Sequence, residues 1–161
     1  MSLREEIKKV RPFELIEEEA LLNLVRTADV LSAAFAELFK HKGLSSTQYN
    51  VLRILRGAGS AGLPCGEVAA RMITRDPDVT RLLDRMEKRK LIARRRDDKD
   101  RRVVCASITG AGSKLLAELD PLIKAAHRKQ LSHMTAAQLR QLIELLELAR
   151  NQSQSTKEVS P

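Results

Sequence analysis

The 161-residue sequence holds only two cysteines and no apolar run approaching the ~20 residues that a membrane-spanning helix needs. Cys65 and Cys105 stand 40 positions apart with no partner spacing, which excludes a metal knuckle and a disulfide scaffold. Both read as reduced, packed thiols, although the place of Cys65 near a helix start would also suit a lowered thiol pKa. The first residues, MSLREEIKKV, carry charge where a secretion signal would need an apolar stretch, so a cytoplasmic protein without membrane attachment is expected.

Catalytic and metal chemistry is missing in the same way. No nucleophile with a base, no glycine-rich phosphate loop and no paired carboxylates stand at a usable spacing, so an enzyme is not expected. His41, His127 and His133 include no pair at the i, i+3 or i, i+4 separation of helical ligands, and no metal or cofactor is expected.

What the chain does have is locally concentrated positive charge. The formal net charge is +8, and Arg71 to Arg102 alone holds 13 Lys or Arg against 7 Asp or Glu. One fifth of the chain thus carries a net +6 while its flanks are nearly balanced. Such a concentration is the footprint of a phosphate-binding surface.

Helical periodicity runs from 13 to 41, with Glu17, Glu18 and Glu19 near the N-terminal end, where the macrodipole favours anions, and Gly43 closing it. Ser45-Ser46-Thr47-Gln48 is a capping box that starts a second helix to about Arg56. After the breaker stretch 57–62, Leu63-Pro64 suits a short strand or bridge, and a short helix spans about Gly66 to Met72. Asp76-Pro77 supplies a cap and first-turn proline for a helix to about Lys90. That helix places Val79, Leu82, Leu83 and Met86 on one face, and turns Thr80, Arg81, Asp84, Arg85 and Lys88 outward. Two extended runs around a charged turn then read as a β-hairpin over 91–108. Thr109 caps a helix to about Leu131, bent or interrupted at Pro121, and the capping box Thr135-Ala136-Ala137-Gln138 opens the last one. The tail from Asn151 is polar and reads as disordered.

A short helix, a tight connection, an amphipathic helix and a basic hairpin describe a winged helix-turn-helix in an all-α-dominated chain. Major-groove readout needs a helix anchored on one face and polar on the other, and residues 77–90 meet that demand. The hairpin puts six cations, Arg94, Arg95, Arg96, Lys99, Arg101 and Arg102, into nine residues, suited to a phosphate backbone or a narrow minor groove. Asp100 is placed to pair with a neighbouring arginine and fix the loop. Expected DNA contacts are therefore Arg75, Thr80, Arg81, Asp84, Arg85, Lys88, Arg95, Arg96, Lys99, Arg101 and Arg102.

Four segments in order, Leu44–Leu52, Val79–Glu87, Asp97–Arg102 and Ile108–Gly112, resemble the MarR family, and the resemblance runs from about residue 20 to 150. It implies a homodimeric winged-helix regulator, usually a repressor, whose terminal helices interlock. It also implies a major-groove role for 77–90, a minor-groove role for Arg101 or Arg102, and a bracing role for Asp100. The helix entrance departs from the usual pattern, with Ile73, Arg75, Asp76, Pro77 and Asp78 where a glycine and small polar residues are common. Asp78 is expected to serve the helix dipole rather than a base.

The domain reading is an N-terminal dimerisation helix (1–44), a DNA-binding unit (45–108), C-terminal dimerisation helices (109–150) and the tail (151–161). The first and last helices carry more apolar surface than a winged-helix unit can cover, which marks a partner surface. A two-fold dimer would set its recognition helices one turn of duplex apart, on a pseudo-palindromic site. The resemblance also implies a small-molecule effector, with Phe35, Phe39, Tyr49, Leu52 and Arg53 as the candidate cleft. The rival reading is a basic helical protein–protein module that binds no specific DNA sequence.

Overall fold

The computed structural model describes residues 2–74, 76–97 and 100–155, excluding the side chains of 152–155. Arg75, Asp98 and Lys99 lie outside the described residues. The chain forms two units, Met1–Lys124 and Ala125–Pro161.

The first unit begins with α1 (Leu3–Glu6) and α2 (Ile16–His41), followed by α3 (Ser46–Ala58) and the 3-10 turn Gly59–Ala61. Then come β1 (Leu63–Pro64), α4 (Cys65–Ala70), α5 (Val79–Lys88), β2 (Ile92–Arg96), β3 (Val104–Ile108) and most of α6 (Gly110–Gln130). The second unit holds the end of α6 and α7 (Ala136–Ser155). Among the described residues, no helix is long and apolar enough to cross a membrane.

Capping chemistry sets most of these boundaries. Ser45 Oγ accepts from the Gln48 N–H at 3.2 Å, and Gln48 Oε1 accepts from the Ser45 N–H at 3.1 Å, which satisfies two orphan donors of α3. Thr135 and Gln138 repeat the exchange at α7, and Thr109 Oγ1 accepts from the Gly112 N–H at the head of α6. A third capping box, Ser2 with Glu5, forms α1, which the sequence reading left out.

Several expected boundaries are corrected. The N-terminal helix starts at Ile16 rather than 13. The cap of α5 is Asp78, not Asp76: Asp78 Oδ1 accepts from the Arg81 N–H at 3.0 Å, while Asp76 Oδ1 accepts from the Asp78 N–H at 2.9 Å. Asp76 thus closes an Asx turn around Pro77, and the helix begins after it. Helix α6 is not interrupted: it runs on through Pro121. Helix α7 continues to Ser155, past the expected start of the tail at Asn151, and 156–161 lie outside the described residues.

The core of the first unit draws on every α-helix from α2 to α6 and on β2 and β3. Phe39, Leu44, Tyr49, Val51, Leu52 and Leu55 meet Val68, Met72, Leu82, Leu83 and Met86, with Leu91, Ile92, Ala106, Leu116, Leu119 and Ile123. Each of the Val, Leu, Ile, Phe and Met side chains among these contributes roughly 1.5–3 kcal/mol when fully buried relative to exposure. The sheet order is β1-β3-β2, all antiparallel, with Leu63 opposite Ala106 and Arg94 opposite Ala106 on its other side. Two glycines permit close approach. Gly62, at φ +73°, lies against the Ala106 carbonyl, and Gly112 lets α6 press on the Leu91 carbonyl.

Candidate nucleic-acid interface

Helix α5 is anchored by Leu82, Leu83 and Met86, each no more than 1% exposed, with half-buried Val79 beside them. This is one stripe at helical spacing, so the remaining positions face outward by geometry. Thr80, Arg81, Arg85 and Lys88 are exposed. Arg81 Nε also reaches Asp78 Oδ2 at 3.0 Å, yet its side chain stays 82% exposed. Asp78 therefore does serve the helix start, as N-cap and as a partner for Arg81.

Asp84 keeps its side chain 43% exposed, and its carboxylate Oδ1 is an ion-pair partner of Arg94 Nη2 on β2. Glu87 shares that guanidinium, Oε2 accepting from Nε at 2.9 Å and Nη2 at 2.7 Å. Glu87 Oε1 also accepts from the Arg94 N–H at 3.0 Å. The three residues tie α5 to the first strand of the hairpin. Glu87 and Arg94 were missing from the expected site, and the only sequence signal was two acids at i, i+3 preceding an arginine-rich strand. A helical projection shows which way Asp84 points, but not that β2 returns alongside it.

The hairpin turn is built by its own acids. The Asp97 N–H donates to the Val103 carbonyl at 2.9 Å, and Asp97 Oδ1 accepts from the Asp100 N–H at 3.1 Å. Asp100 then grips Arg102 with both oxygens at 3.1 Å and accepts the Arg102 N–H at 3.0 Å. The side-chain hydrogen bonds from Arg102, then its backbone one, hold the Asp100 carboxyl below its usual pKa. Arg102 itself stands 91% exposed. Between Arg101 and Arg102, the braced side chain is thus Arg102. Arg95, Arg96 and Arg101 are exposed and form no ion pair among the described residues. A one-sided helix beside a projecting cationic hairpin presents donors suited to base edges and phosphates together.

The model of the MarR family matches residues 44–104, from the start of α3 to the wing. A solved MarR transcription factor from Planctomyces limnophilus is 41% identical to the chain, covering 85% of it and 99% of that protein, with a TM-score of 0.65. The chain belongs to the MarR family. It is a DNA-binding transcriptional regulator, since MarR members regulate transcription and are not enzymes. It is also 35% identical over 105 residues to the transcriptional repressor MdtR of Bacillus subtilis, a match covering 65% of the chain and 66% of that repressor. The solved structure of BpsR from Bordetella bronchiseptica, 23% identical with a TM-score of 0.74, covers 87% of the chain and 98% of BpsR and shares the fold.

Within this MarR chain the candidate effector residues lie mostly in the core. Phe39, Tyr49 and Leu52 are at most 9% exposed, and half-buried Phe35 packs against them. The Phe39 and Tyr49 rings stack with centroids 4.4 Å apart. Arg53 is exposed, with its guanidinium 5.9 Å from the Tyr49 ring centre. Burial first of all raises the Tyr49 phenol pKa. The Cys65 thiol is pushed up too, chiefly by burial, against the lowered value considered for a helix start.

Proposed function

We propose that the chain acts in the cytoplasm as a homodimeric repressor that binds a pseudo-palindromic operator and leaves it when a small ligand binds. The observation that carries this reading is α5, buried along Leu82, Leu83 and Met86 and exposing Thr80, Arg81, Arg85 and Lys88 beside the cationic hairpin. In this reading α5 enters the major groove, Arg81 and Arg85 read bases, and Arg95, Arg96, Arg101 and Arg102 follow phosphates or the minor groove. Arg75 and Lys99 belong to the same proposed surface, although they lie outside the described residues.

Unpartnered apolar surface supports the dimer. Leu21 is 61% exposed and Val25 60% on α2, while Ile143 is 53% exposed and Leu148 65% on α7. These helices are the proposed dimerisation elements, flanking the DNA-binding unit at 45–108. Ligand release is supported by analogy: DNA binding of BpsR is regulated by 6-hydroxynicotinic acid.

Selection of bound duplexes from a random pool tests the reading. The expected outcome is an inverted repeat with half-sites about one helical turn apart. Affinity should also fall steeply with salt, through counterion release. Recovery of no preferred sequence and no salt dependence would leave the basic helical adaptor instead.

A further inference from the structure

The acids at the entrance of α5 form a chain of contacts that ends on an arginine. The Ile73 N–H donates to Asn50 Oδ1 at 2.9 Å, which ties the incoming connection to α3. Asp76 Oδ1 then accepts from the Asp78 N–H at 2.9 Å and fixes the backbone around Pro77. Both oxygens of Asp78 meet Arg81. Oδ1 accepts from its backbone N–H at 3.0 Å, and Oδ2 pairs with its Nε at 3.0 Å. One carboxylate thus caps the helix and holds the first arginine of its outward face. The nitrogen that the carboxylate meets is Nε, and among the described residues the guanidinium has no further partner. Its terminal nitrogens, Nη1 and Nη2, are left as donors on a side chain that is 82% exposed. Arg85, one turn along the same face, is exposed and has no such carboxylate beside it among the described residues. Of the two, Arg81 is the one oriented before DNA arrives.

We propose that Asp78 is a positioning residue that presents Arg81 to a guanine, and so sets one base of each half-site. The proposal rests on the reading of α5 as the major-groove helix. A guanine shows two acceptors, N7 and O6, on its major-groove edge, and a guanidinium matches them with two parallel N–H donors. Adenine shows one acceptor and one donor there, so the same fork is left with an unmet N–H. With the carboxylate on Nε, the fork that remains is the pair Nη1 and Nη2. Holding the side chain ahead of binding lowers the ordering cost that a mobile arginine meets in the complex. Asp78 suits this task because its own place is fixed twice, by the bond from its N–H to Asp76 and by the cap bond that it accepts. An exposed ion pair adds little to the stability of the free protein. A carboxylate at this surface also weakens binding to every duplex alike, whereas an oriented fork discriminates between bases. Base selection is therefore where the effect of Asp78 is read.

The test uses the full chain and the duplex recovered from the random pool, with each guanine replaced in turn by adenine or by 7-deazaguanine, which lacks the N7 acceptor. For the wild type, one guanine per half-site should lose about tenfold or more in affinity on change to adenine, and a smaller share on loss of N7. Arg81→Ala should abolish both penalties at that position alone. Asp78→Asn and Asp78→Ser each keep a good helix cap, so circular dichroism should show an intact fold. Asn turns an amide donor toward Nε once its oxygen serves the cap, and Ser does not reach Nε while capping. Both variants should reduce the guanine-over-adenine ratio about threefold, even as loss of the negative charge tightens binding to every duplex. A residue that serves the cap alone would leave this ratio unchanged in both variants, and that result overturns the proposal. A guanine penalty that survives Arg81→Ala, or a site with no required guanine, overturns it as well. Recovery of no preferred duplex would sink the regulator reading and the proposal together, whereas a preferred duplex with an unchanged ratio sinks the proposal alone.

Discussion

Arg94 on β2 and Glu87 on α5 share a two-point contact, with Glu87 accepting from both the side chain and the backbone N–H of Arg94. Asp84 completes the grip. The Arg94 side chain is only 23% exposed, so these charge-assisted bonds are partly shielded from water. Replacing Arg94 by Met leaves two carboxylates near the proposed DNA surface and frees the hairpin from the helix. Stability should fall by about 1–3 kcal/mol in urea denaturation. DNA affinity should fall as well, and a double-mutant cycle with Glu87→Gln should show clear coupling. Additive losses would mean that Arg94 and Glu87 act independently.

Asp100 offers a test in which two effects have opposite signs. Taking a negative charge off a hairpin that approaches DNA should, on simple electrostatics, tighten binding. Losing the two-oxygen grip on Arg102 should loosen it, because a 91% exposed arginine would then be ordered only on binding. For Asp100→Asn we expect the second effect to win, with weaker binding and a salt slope flattened by about one unit if Arg102 touches phosphate. Tighter binding by the variant would remove the brace from the mechanism.

Local chemistry was legible in the sequence wherever a few adjacent residues decided the outcome. The capping boxes at Ser45–Gln48 and Thr135–Gln138, the α5 stripe and the hairpin strands are of this kind. Two candidate caps two residues apart were harder. Asp76 and Asp78 differ only in which N–H each accepts, and Pro77 suits either arrangement. What could not be read was long-range pairing. Asp84 looks outward on a helical projection until β2 lies beside it. Asn50 shows nothing of its role until a backbone N–H 23 residues away reaches it. The continuation of α7 through Asn151–Ser155 also runs against composition, since polar residues with modest helix propensity extend an existing helix at little cost.

Arg56 and Asp120 join α3 to α6 through two hydrogen bonds of 2.7 and 3.0 Å. The bond from Arg56 lowers the Asp120 pKa. A carboxylate whose pKa is depressed in the folded state contributes stability above its unfolded pKa, about 3.9, and loses it as pH falls through the folded value. The pair should therefore stabilise fully at neutral pH and fade only in acid. Both side chains are over a third exposed or close to it, at 39% and 35%, so solvent screening limits the gain to about 1 kcal/mol or less. Asp120→Asn should lower the neutral-pH stability by that amount, with the two stability curves converging at low pH. Curves that stay parallel down to strong acid would show that the charge of Asp120 is irrelevant.

Cys65 sits at the start of α4, where a helix N-terminus ordinarily favours a thiolate. Burial opposes this, and it is the largest influence on the group. The Arg94 charge lowers the pKa in part, but Cys105 and Glu87 act in the same direction as burial, and the thiol is raised. Less thiolate at neutral pH means a slower nucleophile. Alkylation of Cys65 by iodoacetamide at pH 7.5, followed in a Cys105→Ser background, should be slower than that of an unstructured cysteine peptide. The rate should keep rising as the pH is taken above the ordinary thiol pKa of about 8.5. Arg94→Met removes a cation that favours the thiolate, and should slow the reaction further if the fold is kept. A rate above that of the free peptide, levelling off below neutral pH, would instead identify an activated thiol at this position.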